Sequence, residues 1–490
     1  MAANSSSIAT RLSGKAGHHQ YNSGGHLENV VIFHLGTLIV VTAWAFGGQS
    51  PAARNWLLAW TTIGLALFFI AVALRQQHQP NTHRQVLYDL WPLLVFDALS
   101  GLACLNPSMV VITREQLAYL KFVEPPYAWL PSCARPELAL SQLWLLNGII
   151  LSAYTAGLVL VSRRTIRRLL LLVGVNAVCL AIFGTFQHLL ASTGLYFGRI
   201  PSPQSYFFAS FVYHNHWGAF TLLNTATCLG LLFHALRHRG NRDLWHSPVL
   251  AGAVATLLLA ATVPLSGSRS STILLGLLTG GALVHLLTRL IRQRRSQHES
   301  VLLPVIGIVL AGMLSIGAIG YLARNVIVRR AALTTEQLGR IRNSDQLDAR
   351  FVLYRDTWRM AQDKPWFGWG LESYGDVFRI YNTQLDRYDG RHFWQPFYRA
   401  AHSDWLQSLA ESGYIGTGLL VALGLTPWRR LRNGKSLSMP SRYLLAGCGL
   451  ILLYALLEFP FANPSVLIAF WSSLYLARRY QVLEIEAESR

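Results

Sequence analysis

The chain has 490 residues, 52% of them hydrophobic and only 13% charged, which excludes an ordinary soluble globular protein. A net charge of +19 would suit a nucleic-acid binder in a soluble chain. Here the apolar residues come in blocks of bilayer-spanning length with most Lys and Arg between them, so membrane lipids are expected as partners and no nucleic acid.

Residues 1–29 are polar, with Ser, Gly and His, and are expected to form a disordered cytoplasmic terminus. The first apolar run starts near Val30 with no small-residue cleavage site after it, so it reads as a retained span. Twelve spans follow from hydropathy, at about 30–47, 55–74, 87–105, 142–161, 168–188, 214–235, 247–265, 271–289, 301–323, 414–428, 442–459 and 462–477. The expected fold is an all-α polytopic membrane protein of about 12 transmembrane helices. Nine of them occupy 30–323, a large loop with short helices and the catalytic segment occupies 324–413, three more spans occupy 414–477, and 478–490 is a tail.

Short basic loops follow the even-numbered spans; Arg75, Arg84, Arg163, Arg164, Arg289, Arg292, Arg478 and Arg479 are among them. The positive-inside bias then puts both termini in the cytoplasm and loops 106–141 and 324–413 on the outer face. An arginine-rich outer loop calls for an anionic ligand, or else its arginines pair with its own Asp345, Asp348 and Asp356. Both readings stay open. The five cysteines lack metal-ligand spacing. Cys179, Cys228 and Cys448 read as packing residues within spans, while Cys104 and Cys133 share an outer loop, which leaves a disulfide between them open. No fixed-period repeat and no Walker A sequence is found, so no ATP-driven module is expected.

Four stretches carry candidate chemistry. FVYHNHWGAF, 211–220, opens span six with His214, Asn215 and His216, polar groups where Leu would be cheaper. Polar residues at membrane depth usually face a cavity, and two His at i and i+2 diverge on a helix, so no metal site is expected. SGSRSS places Arg269 among Ser266, Ser268, Ser270 and Ser271 at the outer start of span eight. A guanidinium fork beside helix N–H groups suits phosphate; anchoring to lipid phosphates is the simpler reading of that stretch alone. RFVLYRDTWRMAQDKPWFGWGLESY, 350–374, reads as a helix stopped by Lys364-Pro365 and a tight turn at Gly368 and Gly370. Arg355 and Arg359 lie one turn apart, with Arg350 well round the helix from both. Arg355 is assigned to the cavity, with an ordinary surface arginine as the alternative.

The last stretch is FYRAAHSDWLQSLAESGYIGT, 397–417. After His402 it reads as a short amphipathic helix ending at Gly413, with Leu406 and Leu409 on the face of His402. Glu411 lies nine positions on, roughly 180° around a straight helix, so it is not expected to partner His402. Together the stretches predict an outward cavity in which arginines hold a diphosphate and His402 accepts the proton of an attacking hydroxyl. The diphosphate would be the leaving group, so no cofactor is expected.

His402-Ser403 followed by Leu406, Glu411, Gly413 and Gly416 resembles the pattern H-[NS]-x-x-L-x-x-x-x-E-x-G-x-x-G of the O-antigen ligase and Wzy-type polymerase superfamily. SGSRSS is similar to that family's Ser-Arg-Gly stretch, with Ser270 where Gly usually stands; FVYHNHWGAF, Arg350 and the Gly368/Gly370 turn resemble further family segments. The resemblance covers roughly 200–420. It implies a GT-C-like inverting glycosyltransferase of the bacterial inner membrane with a periplasmic site. The donor would be an undecaprenyl-diphosphate-linked glycan and the acceptor lipid A core (a ligase), a lipid-linked glycan (a polymerase) or a protein hydroxyl. By position, Arg269 and Arg350 would bind the diphosphate, His402 would activate the acceptor, and Glu411 would be structural. A lipid-linked glycan flippase is the non-enzymatic alternative; it would expect charge buried mid-span.

Overall fold

The computed structural model describes residues 5–114, 117–204, 206–238, 247–343, 349–384, 387–388, 393–394, 396–431 and 436–489, some of them, 5–24 included, by backbone alone. The expected disordered terminus falls largely on residues whose side chains lie outside this set, and a helix begins at Ser5.

Each of the twelve expected spans coincides with a helix. In chain order they are α1 (Ser5–Trp44), α2 (Pro51–His78), α3 (Thr82–Cys104), α4 (Pro136–Val159), α5 (Arg163–Leu189), α6 (His214–His238), α7 (Pro248–Ser266), α8 (Arg269–Ser296) and α9 (Leu302–Leu322). After the helices α10 (Arg324–Asn343), α11 (Ala349–Asp363) and α12 (Tyr374–Tyr381) come α13 (Asp404–Leu425), α14 (Met439–Tyr454) and α15 (Pro464–Glu488). Among the described residues ten helices are long and apolar enough to cross a membrane. Of the other two expected spans, α14 has only 16 residues, and α15 runs on into Arg478 and Arg479.

Several ends are set by local chemistry. Ser50 caps α2, its Oγ accepting the Ala53 N–H at 3.2 Å, with Pro51 at the first helical position. α7 ends on Gly267 at φ +80°, a left-handed cap, and α8 starts two residues later at Arg269.

α6 lies at the centre, against α7, α14 and α5, with Trp217 and Phe220 fully buried. α9 lies at the other extreme, with none of its apolar window buried. Lipid contact needs no inward face, and the exposed Leu310, Leu314 and Ile316 are side chains a bilayer would cover.

A second, smaller core lies in the extramembrane loops. Leu353, Met360, Trp369, Tyr374, Val377 and Phe378 pack there with Met109. Met109 belongs to β1 (Met109–Arg114), which pairs antiparallel with β2 (Leu117–Phe122). This hairpin was not expected; its β-branched Val110, Val111, Ile112 and Thr113 suit a strand outside the bilayer. At the far end of the bundle, charge is neutralised locally: Arg163 pairs with Glu484, Arg478 lies 3.3 Å from the buried Asp89, and Arg479 bonds the Leu160 carbonyl at 2.6 Å.

Candidate active site

His402 sits in the loop before α13 with φ +53°, a left-handed conformation costly for a residue with a Cβ. Neighbouring bonds hold it there. Tyr354 of α11 donates its hydroxyl to the His402 carbonyl at 2.9 Å and to the Leu457 carbonyl at 3.1 Å. Ser403 caps α13 and bonds the Ala455 carbonyl at 3.3 Å. The Asp404 amide donates to the Glu458 carbonyl at 3.2 Å, and its carboxylate accepts the Phe461 N–H at 2.8 Å. The loop carrying His402 is thereby zipped to the loop after α14.

That second loop brings Glu458, which sequence reasoning missed. Its carboxylate is 2% exposed and meets Arg350 Nη2 at 2.9 Å through Oε1. Through Oε2 it lies 3.9 Å from His402 Nδ1 and 3.4 Å from the Tyr213 hydroxyl. Burial alone would raise its pKa, but His402 and Arg350 outweigh it and hold the carboxyl below its ordinary value. The same carboxylate holds Arg350 above the ordinary guanidinium value, against the effect of burial. Burial, and then Glu458, push the Tyr213 hydroxyl up. The available signal was an acidic residue closing an apolar run just before Phe-Pro, in LLEFPF.

The expected polar residues at the start of α6 separate into different tasks. Asn215 is buried and donates to the Tyr213 hydroxyl at 2.8 Å. His216 is buried between Gln49, at 3.4 Å, and the Phe459 carbonyl, at 3.3 Å. His214 Nε2 lies 3.0 Å from Arg330 Nη2. Arg330, on α10, is a second residue the sequence reading passed over. Its guanidinium stacks over Tyr206 at 3.7 Å from the ring centre. Burial, and then the charge of Arg269, lower its pKa. Arg330 also lies beside Gly267, two residues before Arg269, while Arg350 reaches Glu458, which bonds the hydroxyl of Tyr213 next to His214. Arg269 itself is the first residue of α8, preceded by Ser268, whose hydroxyl bonds Ser271 at 2.9 Å.

Arg355 does not join them. It bonds Asp356 at 3.1 Å and the Thr383 hydroxyl at 2.5 Å, and it is not among the residues lining the cavity described below. In this structure the buried Asp356 turns it toward the loop's own acid. Asp345 and Asp348 lie outside the described residues.

On the other side of His402 lies a cavity of about 1620 Å³. Its floor is apolar, from Leu420, Leu445, Leu452, Leu467, Phe470 and Leu474 of α13, α14 and α15. Its rim is polar, with Gln49, Arg54, Gln142, Glu372, Arg399 and Gln407. His402 and His216 line it; His214 and Asn215 do not. The Nδ1 of His402 is buried with no hydrogen-bond partner, and the ring is 27% exposed, so Nε2 is the nitrogen open to the cavity. His402 therefore stands in a wall between an arginine cluster and an amphiphilic cavity.

The turn after α11 supports this wall. Trp369 N–H bonds the Ala410 carbonyl at 2.9 Å, and Gly370 N–H bonds that of Glu411 at 2.8 Å. Both Gly368 and Gly370 have positive φ, and a Cβ on either would collide with Glu411 or Cys133. Glu411 Oε1 accepts the Tyr374 N–H at 3.0 Å. The expected helix end at Gly413 is a kink inside α13, with φ +64° and ψ −172°.

A family model described as O-antigen ligase, Wzy_C, matches residues 254–421. This segment belongs to the O-antigen ligase family. It contains Arg269, Arg330, Arg350 and His402, and it bears out the resemblance carried by the His402 motif. Glu458 and the start of α6 lie outside it. No curated protein matches the chain. The match over 254–421 and the ten long apolar helices among the described residues support a multi-pass membrane protein similar to the O-antigen ligase and polymerase type.

Proposed function

We propose that the protein is an inverting glycosyltransferase of the inner membrane, moving a glycan from undecaprenyl diphosphate to a hydroxyl of lipid A core on the periplasmic face. The observation that carries this reading is the place of His402, with Nε2 open to an amphiphilic cavity and the arginines behind it. The donor's diphosphate lies at Arg269, Arg330 and Arg350, whose forks match its oxygens. The acceptor enters the cavity, its lipid along the apolar floor and its sugar at the polar rim. His402 in its unprotonated form takes the hydroxyl proton as the oxygen bonds to the sugar carbon. The bond from that carbon to phosphate oxygen breaks, and its electron pair leaves with the diphosphate, stabilised by the arginines.

An acceptor carried on lipid suits the apolar floor better than a protein serine or threonine. A polymerase would use the same cavity for a lipid-linked glycan, and the product distinguishes the two. Purified protein is given lipid-diphosphate oligosaccharide with and without lipid A core, beside His402→Ala and Arg269→Ala. A glycan on the core lipid is the expected product, and longer glycans on the carrier would mean polymerisation. Either product should vanish in both variants. Full activity in His402→Ala would refute the catalytic reading and leave a flippase as the better hypothesis.

A further inference from the structure

Glu458 is shared unequally between two partners, one at each carboxylate oxygen. Its Oε1 is at salt-bridge distance from Arg350, 2.9 Å. Its Oε2 is 3.9 Å from His402 Nδ1, about 1 Å beyond a charge-assisted hydrogen bond. Nδ1 is meanwhile buried and unbonded, a state that costs free energy until a partner arrives. Among the described residues Glu458 is the one acid within 4.0 Å of it.

The two ends of the Arg350 pair differ in freedom. Glu458 is 2% exposed and its carbonyl is fixed by the Asp404 amide; the Arg350 side chain is 48% exposed. An anion arriving from the arginine side therefore reaches Arg350 and not Glu458. A diphosphate outcompetes one carboxylate for a guanidinium, having more charge and more acceptor oxygens.

We infer that donor binding arms the base: the diphosphate takes Arg350 from Glu458, and the released carboxylate closes on His402 Nδ1–H. This rests on the proposed function. Glu458 is a positioning residue in this scheme. Once bonded to Nδ1–H it fixes the tautomer with Nε2 unprotonated, and it stabilises the imidazolium that forms. The hydroxyl proton then moves to Nε2, the new oxygen–carbon bond forms, and the carbon–phosphate oxygen bond breaks with its electrons on the diphosphate. When that diphosphate departs, Arg350 returns to Glu458 and the imidazolium loses its proton to water. A donor-free enzyme keeps its base disarmed.

The test uses the full chain in lipid nanodiscs, with inorganic pyrophosphate as binding probe and the transfer assay as rate. Glu458→Gln removes one internal competitor for Arg350, so pyrophosphate should bind about tenfold tighter while kcat falls ~100-fold. A purely structural role would weaken both together. Glu458→Asp should restore part of kcat. If Glu458→Gln does not fold, histidine nitrogen NMR on the wild type decides: the signal missing from His402→Gln should shift to protonated Nδ1 when pyrophosphate is added. Weaker pyrophosphate binding or unchanged kcat in Glu458→Gln, or a His402 signal that stays put with pyrophosphate bound, overturns the inference alone. Unchanged pyrophosphate binding in Arg350→Ala together with full transfer by His402→Ala overturns the functional reading, and the inference with it.

Discussion

Gly413 and Trp366 meet main chain to main chain, so closely that a Cβ on Gly413 would overlap the Trp366 carbonyl. Two bonds lock the contact: Tyr414 N–H to the Pro365 carbonyl at 2.7 Å and Ile415 N–H to that of Trp366 at 3.2 Å. The φ +64°, ψ −172° conformation of Gly413 is open essentially to glycine alone. Gly413→Ala should cost about 1–3 kcal/mol from backbone strain before the overlap is counted. A lowered Tm in detergent with loss of transfer is expected. Gly418→Ala, with open space at its Cβ, is the control and should leave both unchanged.

Arg350 and Arg355 lie five residues apart on α11 and have opposite fates. Arg350 reaches Glu458, and Arg355 reaches Asp356 and Thr383. Arg350→Ala should reduce transfer about 100-fold, the size of a lost charge-assisted contact. Arg355→Ala should leave transfer within about twofold of wild type, since Arg355 bonds Asp356 and Thr383 and does not line the cavity. Equal losses would place Arg355 back in the substrate site.

Much of this was legible because membrane chemistry writes strong signals. Every expected span found a helix, since an apolar block of bilayer length has few alternatives. His402, Arg269 and Arg350 stood out as polar groups in a recurring spacing. Glu458 and Arg330 did not, because neither has local periodicity: each acquires its meaning from elements over fifty residues away in sequence. Glu458 meets Arg350 across 108 positions and Arg330 meets His214 across 116. Arg355 turns away from the cavity for the converse reason. Its partner is the adjacent Asp356, and helix spacing cannot say which way a side chain turns when an acid sits beside it.

Arg330 adds a third cation to a site for which two were expected. Its contacts with His214 at 3.0 Å and the Tyr206 ring at 3.7 Å orient it. Arg330→Ala should raise KM for the lipid-diphosphate donor about tenfold and leave kcat within a few-fold. Arg330→Lys should recover part of that loss, keeping charge but not the flat fork that stacks on Tyr206. A kcat effect with unchanged KM would place Arg330 in the chemical step instead of donor binding.

Cys104 and Cys133 test the orientation. Both are free thiols, and Cys104 packs against the small cluster that holds Cys133. On an outer face exposed to oxidant this pair should close to a disulfide, stabilising the loop between them by about 3–4 kcal/mol on a chain-entropy estimate. Peptide mapping without reductant should find the linkage in protein taken from membranes, and reductant should lower Tm. Two alkylatable thiols in freshly isolated protein would argue that this face is the cytoplasmic one.

Glu458 also predicts an acid limb in stability. Its folded pKa lies below the ordinary 4.5, so between the two values the unfolded chain binds more protons than the native one. Its contribution is therefore complete above pH 4.5 and is lost as the pH falls below that value toward the folded pKa. Because Arg350 is half-exposed, solvent screens the pair, and the contribution is about 1 kcal/mol. Thermal unfolding in detergent from pH 7 to pH 3.5 should show wild type losing stability in the lowest interval. Glu458→Gln should start lower and lack that component, so the two curves converge in acid. Curves that stay parallel to pH 3.5 would mean that the carboxylate is no better placed in the native state than in water, and that Arg350 and His402 do not hold it.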